Sequence, residues 1–282
     1  MAGTLYLVAT PIGNLEDMTA RAIRILKEAD LIAAEDTRNS MKLLTHFDIH
    51  TPMTSYHEFN KHEKAKELVE KLLEGKNIAC ITDAGTPGIS DPGYELVCYA
   101  AEAGITVTAV PGCVAATTAL TLSGLSTRRF AFEGFLPADK KECRDRINEL
   151  KEETRTFVIY EAPHRLLKTL KLLLEGLGDR KISFCRELTK KHEEIIRTTI
   201  SEGIRHFEEN APKGEFVLCI EGADKSQIEA ARQMTWQELS IEEHMKMYLD
   251  CGMEKTAAMK QVAKDRGLSK RDVYQALLGQ EK

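Results

Sequence analysis

The 282-residue chain has no paired cysteine motif. Its seven cysteines stand at positions 80, 98, 113, 143, 185, 219 and 251, and the closest two are 15 residues apart. Without a C-x-x-C there is neither a zinc-ribbon nor a dithiol redox signature. An odd number of scattered cysteines fits a reducing, cytoplasmic compartment. Nucleotide-phosphate signatures are missing as well. There is no G-x-x-x-x-G-K-[ST] and no G-x-G-x-x-G after the first apolar run, so ATP, GTP and NAD have no dedicated loop. His46 and His50 lie four apart but lack the glutamate of H-E-x-x-H, and no metal site is expected. The N-terminus has no basic region leading into a long apolar core, so no signal peptide is expected. Ala103 to Thr127 carries no formal charge, but Pro111-Gly112 splits it and six of its residues are threonines. It reads as a buried strand, a turn and a buried helix rather than a membrane span. Excess positive charge is also lacking: the net charge is -5, which argues against a polybasic protein but leaves room for a local basic surface.

Hydrophobic residues make up 43% and charged residues 29%, an ordinary globular balance. The length suggests two domains and a small third piece. Apolar runs predict strands at Leu5–Ala9, Leu31–Ala34, Ile78–Thr82 and Thr106–Val110. Helical periodicity fills the gaps at Met18–Glu28, Asn39–Phe47, Lys61–Glu74, from Pro92, and at about Val114–Leu122. Strands alternating with helices point to an α/β fold with a mostly parallel sheet. A second half follows the theme less regularly. Strands are expected at Phe130–Phe135, Thr156–Tyr160, Lys181–Cys185, Glu194–Ile200 and Glu215–Ile220, with some antiparallel pairing, and helices at Lys140–Lys151 and Arg165–Glu175. Gly, Ser and Thr cluster near 125–129, which places a boundary between domains 1–125 and 126–222. Residues 223–234 read as a linker and 235–282 as an all-α tail. Capping boxes are expected at Thr235-x-x-Glu238 and Ser240-x-x-Glu243. A helix of about Glu254–Arg266 stops at Gly267, and Ser269-x-x-Asp272 caps a last helix through Leu278, a helix-turn-helix pattern.

The densest chemical feature is Thr82-Asp83-Ala84-Gly85-Thr86-Pro87-Gly88-Ile89-Ser90-Asp91-Pro92-Gly93. It starts where a buried strand ends and stops where a helix begins, with Asp91-Pro92 placed as N-cap and first helical residue. Ligands of open α/β sheets bind beyond the carboxyl ends of strands. A ligand without phosphates, held by backbone groups and a carboxylate, fits this loop, and Asp83 either serves ribose hydroxyls or caps a turn. Other strand ends carry Thr10-Pro11-Ile12-Gly13-Asn14, Glu35-Asp36-Thr37-Arg38, Tyr56-His57-Glu58, Tyr160 to Arg165, and Arg186-Glu187-Leu188-Thr189-Lys190-Lys191. Glu35 to Arg38 is either a helix cap with its partner or a site. Arg180 to Arg197 and Met253 to Ala276 each hold six Lys/Arg against three acids, which makes an anionic substrate reasonable.

Taken in order, these stretches resemble the ribosomal RNA small-subunit methyltransferase I family of the tetrapyrrole methylase-like superfamily. The resemblance rests on Val8-Ala9-Thr10-Pro11-Ile12-Gly13-Asn14-Leu15, Glu35 to Arg38, Asp83-Ala84-Gly85-Thr86-Pro87, Ser90-Asp91-Pro92-Gly93 and Val110-Pro111-Gly112. It continues through Phe132-Glu133-Gly134-Phe135-Leu136-Pro137, Tyr160 to Arg165, Arg186 to Lys190 and Gly214-Glu215-Phe216-Val217. Cys113 and Ser126 depart from it, since family members often have proline at both places. The resemblance implies two α/β domains of the class III methyltransferase fold with S-adenosylmethionine in the cleft between them, plus the helical tail. It implies 2′-O-methylation of a decoding-region cytidine in 16S ribosomal RNA, within the small subunit, by a cytoplasmic homodimer with no membrane partner. Cofactor contacts are then expected from Pro11, Asp83, Ala84, Gly85, Thr86, Ile89, Ser90, Ala162 and Pro163. His57, Asp36, Glu35 and Glu187 are the candidates for a general base, and Arg38, Arg165 and Arg186 for holding RNA phosphates. Rival readings are a corrin or protein-side-chain methyltransferase of the same fold, and a non-catalytic RNA-binding protein that reads through its tail.

Overall fold

A computed structural model describes residues 1–226, 228, 236 and 239–278. Residues Met1–Gly222 form one compact unit and Ala223–Lys282 a second.

The first sheet is built from β1 (Thr4–Val8), β2 (Leu31–Ala34), β3 (Met53–Ser55), β4 (Ile78–Ile81) and β5 (Thr106–Val110), in the order β3-β2-β4-β1-β5. All four pairings are parallel. Helices α1 (Ala20–Glu28), α2 (Thr37–His46), α3 (Lys61–Leu73) and α4 (Tyr94–Glu102) cross between the strands. Each buries one stripe: Ala22, Ile25 and Leu26 on α1, and Ala65, Leu68 and Leu72 on α3. One core cluster joins α1 and α2 to one face of the sheet, and another joins α3 and α4 to the opposite face. Hence every residue of β4 is buried, as expected for a central parallel strand. β5 corrects the expectation of a buried strand. It lies at the sheet edge, and Thr106, Thr108 and Ala109 are exposed. β3 is three residues long, too short to show in the sequence as a run.

The second sheet has the order β6-β7-β10-β8-β9, from β6 (Phe130–Phe135), β7 (Thr156–Glu161), β8 (Lys181–Arg186), β9 (Glu194–Thr199) and β10 (Phe216–Ile220). β6 runs parallel to β7, and the other three pairings are antiparallel. Helices α6 (Lys140–Glu149), α7 (Pro163–Leu177) and α8 (Ile200–Glu209) close one face around Phe157, Phe184 and Leu218. α8 is an element the sequence reading left out. Its Ile200, Ile204 and Phe207 have helical spacing, and Thr199 caps it by accepting from the Glu202 N–H. Gly203 within it obscures the pattern, yet a Cβ there would stand 2.5 Å from Phe184 Cζ, so glycine is what lets α8 lie on β8. The other face is covered by α5 (Ala115–Leu122), whose Ala116, Ala119 and Leu120 pack on Val158, Cys185, Val217 and Cys219. α5, which precedes residue 125, thus packs on the second sheet.

In the second unit, α9 (Ile241–Asp250), α10 (Lys255–Arg266) and α11 (Lys270–Leu278) share a core of Met245, Ala258, Met259, Val262 and Val273. The capping boxes at Ser240/Glu243 and Ser269/Asp272 form with both reciprocal bonds. α10 ends at Gly267 in the left-handed conformation, and the three-residue turn to α11 gives the expected helix-turn-helix. Thr235 and Glu238 lie outside the described residues, as does most of the expected linker.

Candidate active site

β1 leads to α1 on one face of the first sheet, while the neighbouring β4 leads to α4 on the other. The two loops diverge and leave a crevice at the carboxyl edge, the position where α/β sheets bind ligands. An isolated bridge stitches its floor. Thr10 N–H donates to Gly85 O at 2.9 Å, Gly85 N–H donates to Thr10 O at 3.1 Å, and the Thr10 hydroxyl donates to Thr82 O at 3.2 Å.

A cavity of about 510 Å³ opens from this crevice toward the second sheet. The first sheet supplies Ile12, Ala84, Gly85, Thr86, Ile89, Ser90 and Asp91, and the start of α5 supplies Val114 and Ala115. The second sheet supplies Phe135, Tyr160 to His164, Cys185, Leu188, Lys190 and Glu215 to Val217. The volume is in the range of small-molecule sites. The lining is largely apolar and holds three carboxylates, Asp91, Glu161 and Glu215, against one lysine, Lys190, which pairs with Glu215, while Arg165 pairs with Glu161. That balance disfavours a phosphorylated nucleotide and suits a nucleoside carrying positive charge.

Seven of the nine expected cofactor residues line this cavity: Ala84, Gly85, Thr86, Ile89, Ser90, Ala162 and Pro163. Pro11 and Asp83 do not. Asp83 turns the other way and accepts from the Asp36 N–H at 3.3 Å and from Asn39 Nδ2 at 3.1 Å, while its own N–H donates to Glu35 Oε2 at 3.3 Å. Thr86 Oγ1 donates to Cys113 O at 3.0 Å, so the residue that departs from the family pattern still positions the loop through its backbone.

None of the four general-base candidates lines the cavity. Asp36 is the N-cap of α2 and chelates Arg38, whose hydrogen bonds hold its carboxyl down at about 2. Glu35, beside it, is pushed up by burial and by the charges of Asp83 and Asp36. His57 lies near Glu35, and its Nδ1 is buried without a hydrogen-bond partner among the described residues. Glu187 accepts from the Glu215 N–H at 3.0 Å and from Lys190 Nζ at 2.9 Å, and those contacts lower its carboxyl. It clamps a loop on which Glu187 and Thr189 both have positive φ.

The three arginines differ. Arg38 is 88% exposed. Arg165 donates to Leu136 O at 2.7 Å and to Pro137 O at 3.2 Å, and lies 3.4 Å from the fully buried Glu161 carboxylate. Arg186 donates to Lys213 O and to Glu194 Oε2, each at 2.8 Å. Arg165 and Arg186 are thus engaged within the fold. Asp91, expected as a helix cap, is a lining residue instead. α4 starts at Tyr94 with Gly93 as its N-cap, so the Asp91 side chain caps nothing.

Residues 4–203 match the model of the tetrapyrrole (corrin/porphyrin) methylases. The chain is 53% identical to the ribosomal RNA small subunit methyltransferase I of Halalkalibacterium halodurans, over 96% of this chain and 93% of that one. With the protein of the same name from Bacillus subtilis it shares 48% identity over 97% of this chain and 94% of that one. Its fold is that of the uroporphyrin-III C-methyltransferase from Thermus thermophilus solved with S-adenyl homocysteine, at 20% identity and a TM-score of 0.54, covering 77% of this chain and 96% of that one. The chain belongs to the tetrapyrrole methylase family, as a methyltransferase of the ribosomal RNA small subunit methyltransferase I group.

Proposed function

We propose that this protein methylates 16S ribosomal RNA, transferring the methyl group of S-adenosylmethionine to the ribose 2′-hydroxyl of a decoding-region cytidine in the small subunit. The observation that carries the donor part is the cavity itself: a crevice at the carboxyl edge of a parallel sheet, largely apolar, with more carboxylates than cations in its wall. Such a lining fits a nucleoside with a sulfonium and an ammonium group. When bound, S-adenosylmethionine supplies an already activated methyl group, so what remains for the protein is alignment and proton removal. The loop of Ala84 to Ser90 offers backbone groups from one side and Ala162-Pro163 closes the other. Holding two reactants in line is worth up to about 7–11 kcal/mol of barrier in well-oriented systems.

The ribosomal RNA part is supported by near-full-length relatives at 48–53% identity. Arg38 is paired with Asp36 yet 88% exposed, so of the three arginines it is the one that a phosphate can reach from solvent; guanidinium donors suit bidentate contact. The protein acts in the cytoplasm as a homodimer. Among the described residues no helix is long and apolar enough to cross a membrane. The test is transfer of labelled methyl to small subunits from cells lacking this gene, with the label mapped to one nucleotide and one atom. Label on a base, or on no RNA at all, counts against it.

A further inference from the structure

We propose that Asp91 is the proton acceptor for methyl transfer, an assignment that rests on the functional reading above. Asp91 lines the cavity from the loop between β4 and α4. It is half-buried, and among the described residues it makes no hydrogen bond and no ion pair. Its neighbour Ser90 holds the left-handed conformation, φ +66°, in a loop that ends on Gly93 rather than on an aspartate cap. A carboxylate brought to a ligand cavity and left unsatisfied there is costly unless something binds it.

Its surroundings set its basicity. Glu35 at the end of β2 and Asp83 at the end of β4 face it with negative charge, and the Tyr160 hydroxyl of β7 lies within electrostatic reach. His164, Lys190, Glu161 and Glu215 share the cavity wall from the second sheet. Burial first, then the two carboxylates, push Asp91 up to about 7. An acid poised there is ionised often enough near neutrality to accept a proton and basic enough to want it. Asp36 and Glu187, held down by their partners, are poor acceptors by the same reasoning.

The step balances simply. The ribose oxygen forms a bond to the methyl carbon, the bond from that carbon to sulfur breaks, and its electron pair stays on sulfur. The hydroxyl proton passes to a carboxylate oxygen of Asp91, which later returns it to water.

The test uses the full chain and the variants Asp91→Asn and Asp91→Glu. Asp91→Asn should lower kcat by about 10²–10⁴-fold, the usual share of a general base. S-adenosylmethionine affinity, by calorimetry, should fall far less than kcat does, because Asp91 is one of several groups lining the donor cavity. The rise of rate with pH through about 7 should vanish in Asp91→Asn and persist, shifted, in Asp91→Glu. Melting temperature gives a readout independent of activity. A folded pKa raised above the unfolded value stabilises fully below the unfolded pKa, and that stabilisation is lost as pH rises through about 7. Asp91→Asn should therefore gain on wild type in melting temperature as pH rises from about 4 to about 7, and the gap should level off above that. Wild-type activity with an equally active Asp91→Asn overturns the assignment alone. So does parallel loss of rate and donor affinity, which would make Asp91 a donor-binding group. Wild type inactive on every ribosomal RNA substrate sinks the functional reading and the assignment together.

Discussion

The Tyr160 hydroxyl accepts a hydrogen bond from the backbone N–H of Ala116, at 3.2 Å. That one bond ties β7 to the first turn of α5, whose leading N–H groups have no intrahelical partner. Both residues' segments line the cavity, so the bond fixes the width of its inner end. Tyr160→Phe should cost about 0.5–1.5 kcal/mol of stability, the net worth of a neutral hydrogen bond. It should also weaken S-adenosylmethionine binding, read by calorimetry, without altering the pH dependence of the rate.

The roof of the cavity depends on a close approach. Gly13 has φ +148°, and a Cβ there would stand 2.4 Å from Lys190 Cγ. Lys190 is meanwhile held by Glu187 at 2.9 Å and Glu215 at 2.8 Å. Gly13→Ala strains the backbone and pushes the lysine stem off its carboxylates. We expect a loss of about 1 kcal/mol or more in chemical denaturation, with weaker donor binding.

Arg38 and Arg165 should separate cleanly. Arg38→Ala should leave the melting temperature unchanged and weaken RNA binding, lowering the slope of log K against log salt by about one. Arg165→Ala removes the cation beside buried Glu161 and two donors to carbonyls. It should destabilise the fold by on the order of 2–3 kcal/mol, with any RNA defect following from unfolding.

Glu187 gives a pH-dependent case of opposite sign to Asp91. Its folded pKa is depressed by the Glu215 N–H and Lys190, so its stabilisation is present above the unfolded value of about 4.3 and lost as pH falls below it. Glu187→Gln should melt below wild type at neutral pH, and the gap should close on acidification. A gap independent of pH would show that the Glu187 charge plays no part in holding the loop.

The strands were legible because buried parallel strands are continuous apolar runs, as in Ile78–Ile81, and because helices such as α3 carry an unbroken stripe. The crevice was legible too, since Gly, Asp and Thr gather where β4 ends. Partners were not. Arg165 meets Leu136 O and Arg186 meets Lys213 O, residues 29 and 27 positions away, so a strand-end arginine could not be told from a phosphate ligand by spacing. Asp91 was hidden by its own sequence, since Asp-Pro before a helical pattern is the usual mark of a cap. What the sequence cannot show is that α4 starts two residues after that proline.

The central claim is that this chain methylates a ribose oxygen of small-subunit ribosomal RNA. The most direct measurement is incorporation of labelled methyl from S-adenosylmethionine into small ribosomal subunits from cells lacking this gene, followed by nucleotide-level mapping. The predicted result is label at a single ribose 2′-oxygen of a decoding-region cytidine. Label on a base, or a chain that binds the donor yet transfers nothing to subunits or free RNA, would contradict it.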